Sequence, residues 1–366
     1  MGAKHKKMEE LREFKPSNRA EKKPAMSALT GQKKITRMFN HEDGPVPWVE
    51  IAIDETVVLR GIDKPVTPEM FDNIQPIDIS WSDRVNFAQR FGLDALGIYH
   101  WESYGSIEDD SLPVLKRTPL IKERKDLKKL IIPEFSFQDL APQVAEAKQA
   151  IGESGVALFV EFAICLEYAL LDLGFENFCL KMYDDPSFID DVLDLYTTYS
   201  IQLIKIYNQM PEIDFIWIGD DLAYGSGPFF SPGVYRRHIF PFFKKAISAI
   251  EKPWVFHSDG NILPLMDEIL SWGPSALHPL EPGAMDIFKV KQDYGKRVAL
   301  IGNLSVDRLA RAEPDEIAHE TRALLEKCAR GGGYGFSSGN ALARYVKYEN
   351  VLAVSKTLRE FNRTWS

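Results

Sequence analysis

Nowhere in the 366 residues is there the run of roughly 18 apolar side chains that a membrane span needs. The charged opening is not followed by the apolar stretch of a signal peptide, so a cytoplasmic protein with no membrane contact is expected. Cysteine is scarce. Cys165, Cys179 and Cys328 lie far apart and outside any metal-ligand spacing, which argues against a disulfide framework and a thiolate zinc site and leaves them as packing residues. A phosphate-binding glycine fingerprint after the first β-like run is also missing, which weighs against a dinucleotide-binding sheet.

What is present is a large apolar fraction, 45% with many aromatics, enough for a sizeable core. Charge is uneven: residues 1–34 carry ten Lys or Arg and four Glu, about +6, so the remainder is about −15 for a net −9. A basic arm can contact nucleic acid or an acidic partner. The plainer reading is a solvated leader that packs along a neighbouring subunit or stays mobile, so residues 1–44 are set apart as an extension and no nucleic-acid partner is expected.

After the extension eight β-favouring runs recur: PWVEIAI (47–53), DALGIYH (94–100), GVALFVEF (155–162), DFIWIGDD (214–221), PWVFHSD (253–259), SALHPLE (275–281), RVALIGN (297–303) and GGYGFSSG (332–339). Helical patterns separate most of them. Three of these open on Asp185-Pro186, Ser231-Pro232 and Glu313-Pro314, pairs suited to the unpaired amides of a helix start. Strand alternating with helix predicts parallel pairing, and eight such units predict an α/β fold, a (β/α)8 TIM barrel over residues 45–366. A doubly wound sheet is the alternative.

In a barrel, chemistry belongs at the C-terminal ends of the strands. The runs end in Glu161, Asp220 and Asp221, His257 and Asp259, His278 and Glu281, Asn303, and Ser337 and Ser338. His257 and Asp259, two apart in an extended segment, face the same side, and Glu281 comes from the next strand end. Together they form a candidate set for zinc or another divalent ion; a hydrogen-bonded His–carboxylate pair without metal is the other reading. Asp220 and Asp221 are candidates for a general acid, or for a turn and helix cap. His278 and His100 are each either a pocket base or a polar end to the core. Tyr99, Trp101, Tyr104, Trp217, Tyr224, Phe229, Phe230 and Tyr334 crowd the same loops, as core or as the wall of a pocket for a flat ligand. His41, His238 and His319 read as surface or packing residues.

Five segments, LGFENFCLKMYDDPSFIDDVLD, GDDLAYGSGPFFSPGVYRRHIFPFFKKAI, VFHSDGNILPLMDEIL, ALHPLEPGAMDIFKVKQDYGKRVALIGN and GGYGFSSGNAL, together resemble the uroporphyrinogen decarboxylase superfamily. The resemblance runs from about residue 45 to the C-terminus and implies a (β/α)8 barrel. True porphyrin decarboxylases carry an arginine-rich RQAGRY-type motif at the first strand for the substrate's carboxylates. Here that run is PWVEIAIDE, and from its start no arginine occurs until Arg60. The chain looks more like the methyltransferases that exchange methyl groups with corrinoid proteins. Their coenzyme M branch resembles it at His257, in a His-x-Cys-Gly motif with a further cysteine near the last strand. Asp259 stands in the place of the first cysteine, and Ser337 or Ser338 near that of the second.

What the resemblance implies is therefore the substrate side of an O-demethylase system. A methoxylated, aromatic small molecule donates its methyl group to the Co(I) corrinoid, a cobalamin, of a partner protein. His257, Asp259 and Glu281 would hold zinc or a proton, and Asp220 or Asp221 would supply or orient the acid. Asn303 and Tyr235 would position substrate, in a pocket lined by Tyr99, His100, Glu161, Trp217, His278, Ser337 and Ser338. A homodimer is allowed. Cofactor-free decarboxylation of a smaller substrate and a non-catalytic ligand-binding barrel are the alternatives.

Overall fold

The computed structural model describes residues 29–72, 77–100, 119–130 and 132–365. Trp101, Tyr104 and residues 1–28 of the basic stretch lie outside these. Seven of the eight runs form strands: β1 (Ala95–Tyr99), β2 (Ala157–Phe162), β3 (Phe215–Gly219), β6 (Trp254–His257), β7 (Ala276–His278), β8 (Ala299–Ile301) and β9 (Tyr334–Gly335). β4 (Ala223–Tyr224) and β5 (Gly227–Pro228) make a small antiparallel hairpin after β3 that the sequence pattern did not suggest. The seven pair in parallel in the order β1-β2-β3-β6-β7-β8-β9, a curled sheet of the TIM-barrel type.

The first run, 47–53, is expected as an eighth strand but makes only isolated parallel bridges, Trp48 to Phe336 and Ile53 to Leu342. It still spans the gap between the sheet's two edges. Val49 N–H donates to Phe336 O at 3.0 Å, Phe336 N–H to Pro47 O at 2.8 Å, and Asp94 N–H to Trp48 O at 2.8 Å. The regular ladder is interrupted because Pro47 has no N–H and because the Trp48 amide is taken by the Asp94 side chain at 2.9 Å rather than by a carbonyl.

Strand residues alternate between two cores. Outward, Leu158, Val160, Ile216, Ile218, Phe256 and Leu277 meet the helices. Inward, Ala95, Ala157, Ala276 and Ala299 are small and make room for Phe159, Phe215 and Trp217. The Phe159 ring lies 5.1 Å from that of Phe215 and 5.2 Å from that of Trp217. Gly97 belongs to this arrangement, since a Cβ there would stand 2.6 Å from the Phe159 ring. The barrel centre is thus packed, and anything it binds must sit above the aromatic layer.

The anticipated helix starts hold at 185–186 and 313–314, where Asp185 and Glu313 cap Pro186–Asn208 and Pro314–Cys328. The helix after Ser231 is broken: Pro232–Val234 passes into a wide π turn, Tyr235–Ile239, before Phe240–Ile247. Pro241 has no N–H to offer the preceding turn, a common cause of such a shift.

The end of the basic stretch is not a free leader. The helix Gly31–Phe39 seals the barrel's own floor: Ile35 and Met38 are buried in the inner core. Lys34 pairs with buried Asp94 at 2.9 Å, and Gln32 Nε2 donates to Asp214 at 3.1 Å. Removing the Met38 side chain opens a void under β9, so Met38→Ala is expected to cost about 2–5 kcal/mol, read as a lower urea midpoint with an unchanged m-value.

Candidate active site

β6 carries His257 to the rim, where its register neighbours are Gly219 on β3 and His278 on β7. Gly219 places no side chain beside the imidazole. The chain then turns at Gly260, whose φ of +80° suits glycine alone. A Cβ there would stand 2.2 Å from the Ala223 carbonyl oxygen, so the β4–β5 hairpin is packed directly against this turn. The turn places Asp259 over the barrel. The loop after β3 brings Asp221 to the same point, and the Asp259 N–H holds its carboxylate at 2.7 Å.

The result is a three-residue constellation, Asp221, His257 and Asp259, whose ligand-type atoms lie within 4.8 Å of one another. His257 Nε2 is 3.7 Å from Asp221 Oδ1 and 3.9 Å from Asp259 Oδ1. Asn340 Nδ2 binds Asp259 Oδ2 at 2.6 Å, while Asp259 Oδ1 is buried without a hydrogen-bond partner. A tetrahedral zinc ion bound at about 2.0–2.2 Å sets its ligand atoms about 3.4 Å apart, a little closer than these. A nitrogen, two carboxylates and one orphaned oxygen therefore fit a divalent cation. Glu281, expected as the third ligand, is not one of the three; its Oε2 accepts the Gly260 N–H at 2.5 Å and so buttresses the turn.

Behind His257 runs a buried chain of polar groups. Its Nδ1 lies 2.7 Å from His278 Nδ1, and His278 Nε2 lies 3.2 Å from Ser337 Oγ. Ser337 Oγ is 3.2 Å from Glu50 Oε2. Glu50 also receives the Ser338 hydroxyl at 2.6 Å, the Ser338 amide at 3.0 Å and the Trp48 indole N–H at 2.6 Å. Glu50 and Asn340 were not anticipated. Glu50 had a signal, since it is the lone acid inside the apolar PWVEIAI run, and a buried acid demands partners. Asn340 lies in a loop and had none.

Other candidates are placed elsewhere. Asp220 is fully buried, and its carboxylate accepts the amides of Ile164, Cys165 and Glu167 at 3.0, 2.9 and 2.8 Å, the cap-like role weighed for it. Tyr235 packs on Phe240 and donates its hydroxyl to Leu222 O, bracing the loop after β3 rather than meeting ligand. His100 turns outward to Tyr207 and Phe135. Asn303 Nδ2 donates to Leu280 O at 2.6 Å and holds the loop after β7. Tyr99, Glu161 and Trp217 stand side by side on β1, β2 and β3. His278 stacks edge-on against Trp217, 4.9 Å between centroids. Ser337 and Ser338 serve the buried chain.

The mouth is acidic. Burial, with Asp221 and Glu281 nearby, pushes Asp259 from 3.8 to about 7. Burial, with Asp221, Asp220 and Glu161 adding, drives Glu167 well above the usual range. Burial lowers His257 and lowers His278 further, so both imidazoles are neutral at pH 7. His100 falls to about 4 for the same reason.

A family profile described as uroporphyrinogen decarboxylase (URO-D) matches residues 103–361. The chain belongs to the uroporphyrinogen decarboxylase family. It is 24% identical over 320 residues to a uroporphyrinogen decarboxylase of Chlorobium limicola, covering 80% of this chain and 85% of that one. Over 77 residues, 21% of this chain and 22% of the relative, it is 39% identical to a uroporphyrinogen decarboxylase of Methylococcus capsulatus. Among solved structures, a methyltransferase from Methanosarcina mazei superposes with a TM-score of 0.66 at 18% identity, covering 91% of this chain and 99% of that one. This likeness establishes the shared barrel. Members of the family are enzymes, and no helix among the described residues is long and apolar enough to cross a membrane.

Two outcomes follow. Gly260→Ala is expected to cost at least about 2 kcal/mol and to loosen the Asp221–Asp259 contact, measured by thermal unfolding and by divalent-metal titration. Glu50, which burial raises from 4.5 to about 7, binds its proton more tightly folded than unfolded. That contribution to stability is complete below pH 4.5 and is lost as pH rises to about 7. Glu50→Gln should therefore flatten this part of the stability–pH curve measured by urea unfolding.

Proposed function

We propose that the protein is a methyltransferase that moves the methyl group of a methoxylated, aromatic small molecule to the Co(I) corrinoid of a partner protein. The observation that carries this reading is the convergence of Asp221, His257 and Asp259 at the barrel mouth, with an orphaned carboxylate oxygen and a neutral imidazole nitrogen facing one point. In the reaction the methyl carbon–oxygen bond breaks and its electron pair stays on oxygen. The methyl group forms its new bond with the electron pair of the reduced cobalt. The costly part is the charge left on the departing oxygen.

The three residues would hold a divalent ion, zinc by donor type, which when bound supplies Lewis acidity to that oxygen. The chain's own groups do the positioning. The Asp259 amide orients Asp221, Asn340 fixes one oxygen of Asp259 and leaves the other toward the site, and His278 holds the His257 ring. Tyr99 and Trp217 stand on the same face of the sheet beneath the site, and the Trp217 indole N–H is buried without a hydrogen-bond partner. Asp221 and Glu281 lie close enough to Asp259 to add to the raising of its carboxyl, so the mouth is a poor home for a substrate bearing many carboxylates. That supports methyl transfer over porphyrin decarboxylation.

Mixing the protein with a reduced corrinoid protein and methoxyaromatics should convert the Co(I) absorbance to that of methyl-Co(III). His257→Ala should lower the rate by roughly a hundredfold or more and remove bound metal in elemental analysis. Absence of conversion across a broad panel of aryl ethers and simple methyl donors overturns the reading. Release of carbon dioxide from a carboxylic acid without corrinoid would replace it with decarboxylation.

A further inference from the structure

We propose that Glu50 is a positioning residue: acting through Ser337 and His278, it sets the direction of a hydrogen-bond chain so that His257 carries its hydrogen on Nδ1 and presents an unprotonated Nε2 to Asp221 and Asp259. Donor and acceptor bookkeeping leads there. Two of Glu50's partners, the Trp48 indole N–H at 2.6 Å and the Ser338 amide at 3.0 Å, can only donate, and both reach Oε1. The hydroxyls of Ser338 and Ser337 reach Oε2 at 2.6 and 3.2 Å. An ionised carboxylate accepts all four, because it has acceptor sites alone. Among the described residues no Lys, Arg or His pairs with it, so these donors are what stabilise its charge.

The direction then propagates. Ser337 has one hydrogen, and once that points at Glu50 the oxygen can only accept from His278 Nε2, 3.2 Å away on the other side. At pH 8, above the ordinary imidazole range, each ring has a single N–H, and 2.7 Å between the two Nδ1 atoms leaves room for one hydrogen. With its hydrogen on Nε2, His278 presents a lone pair at Nδ1. Two lone pairs 2.7 Å apart would repel, so His257 Nδ1 is the donor in that contact. His257 Nε2 is left bare.

This is not the form the mouth would select by itself. Asp221 and Asp259 accept hydrogen bonds and would favour a hydrogen on Nε2. At 3.7 and 3.9 Å from those oxygens, Nε2 is too far for such bonds. The buried chain overrides the local preference and leaves the nitrogen ready for a cation.

Glu50→Gln tests the direction. Its carbonyl can still accept the two obligate donors at Oε1, while the new amide N–H group faces the serine hydroxyls and reverses the chain. The readout is the 15N spectrum of the full, chelator-treated chain labelled at the histidine rings and held at pH 8, with His257 assigned by the signal lost in His257→Gln. Wild type should show His257 Nδ1 protonated and Nε2 unprotonated, and Glu50→Gln the opposite. Should Glu50→Gln not fold, Ser337→Ala should replace the single wild-type tautomer with a mixture. A protonated Nε2 in wild type, or an unchanged tautomer in a folded Glu50→Gln or Ser337→Ala protein, overturns the inference. A second readout rests on the metal reading above: zinc affinity by chelator competition should fall roughly 10- to 100-fold in Glu50→Gln. Wild type with the expected tautomer but no affinity for zinc would sustain the role of Glu50 and sink the metal reading alone.

Discussion

The top of this barrel depends on a single demand: a carboxylate buried without a cation beside it must be satisfied by neutral donors. Glu50 meets that demand with Trp48 from its own segment and with Ser337 and Ser338 from beyond β9. Those contacts draw residues 48–50 to the last strand, where the regular ladder has dwindled to isolated bridges. The same contacts that close the barrel also order the histidine pair. Closure and site geometry therefore share one set of hydrogen bonds, and neither can be altered without the other.

Below this polar tier the interior is apolar and aromatic. Phe159, Phe215 and Trp217 fill the centre because alanines and Gly97 on neighbouring strands leave them space. The reactive groups thus stand on a rigid platform near the rim instead of lining a deep shaft. Low dielectric beneath them raises the cost of charge, which is why burial is the leading cause of the displaced proton affinities of Glu50, Asp259, Glu167, His257 and His278.

Much of the architecture was legible in the sequence because parallel strands buried on both faces read as short apolar runs, and seven of eight such runs are strands. His257 and Asp259 were legible for the same reason: they stand where a run ends. Strand ends alone could not separate Asp221, which enters the cluster, from Asp220 beside it, which caps a helix. Adjacent residues point apart, and only the loop path decides which one faces the mouth. His100 and Tyr235 were beyond reach because what turns them away, Tyr207 in one case and the Leu222 carbonyl in the other, lies far along the chain or in a bent loop. Glu281 was placed one step too close, being spent on the Gly260 amide.

The floor helix Gly31–Phe39 has a bearing on how the molecule assembles. It touches the approach to β1 through Asp94, the approach to β3 through Asp214, and the last strand through Gly335. The segment precedes its last partner, Gly335, by almost 300 residues, so it cannot finish docking until these have followed it and the sheet has curled round. Sealing the base is consequently a late event, and until then the apolar faces of Ile35 and Met38 have no permanent home.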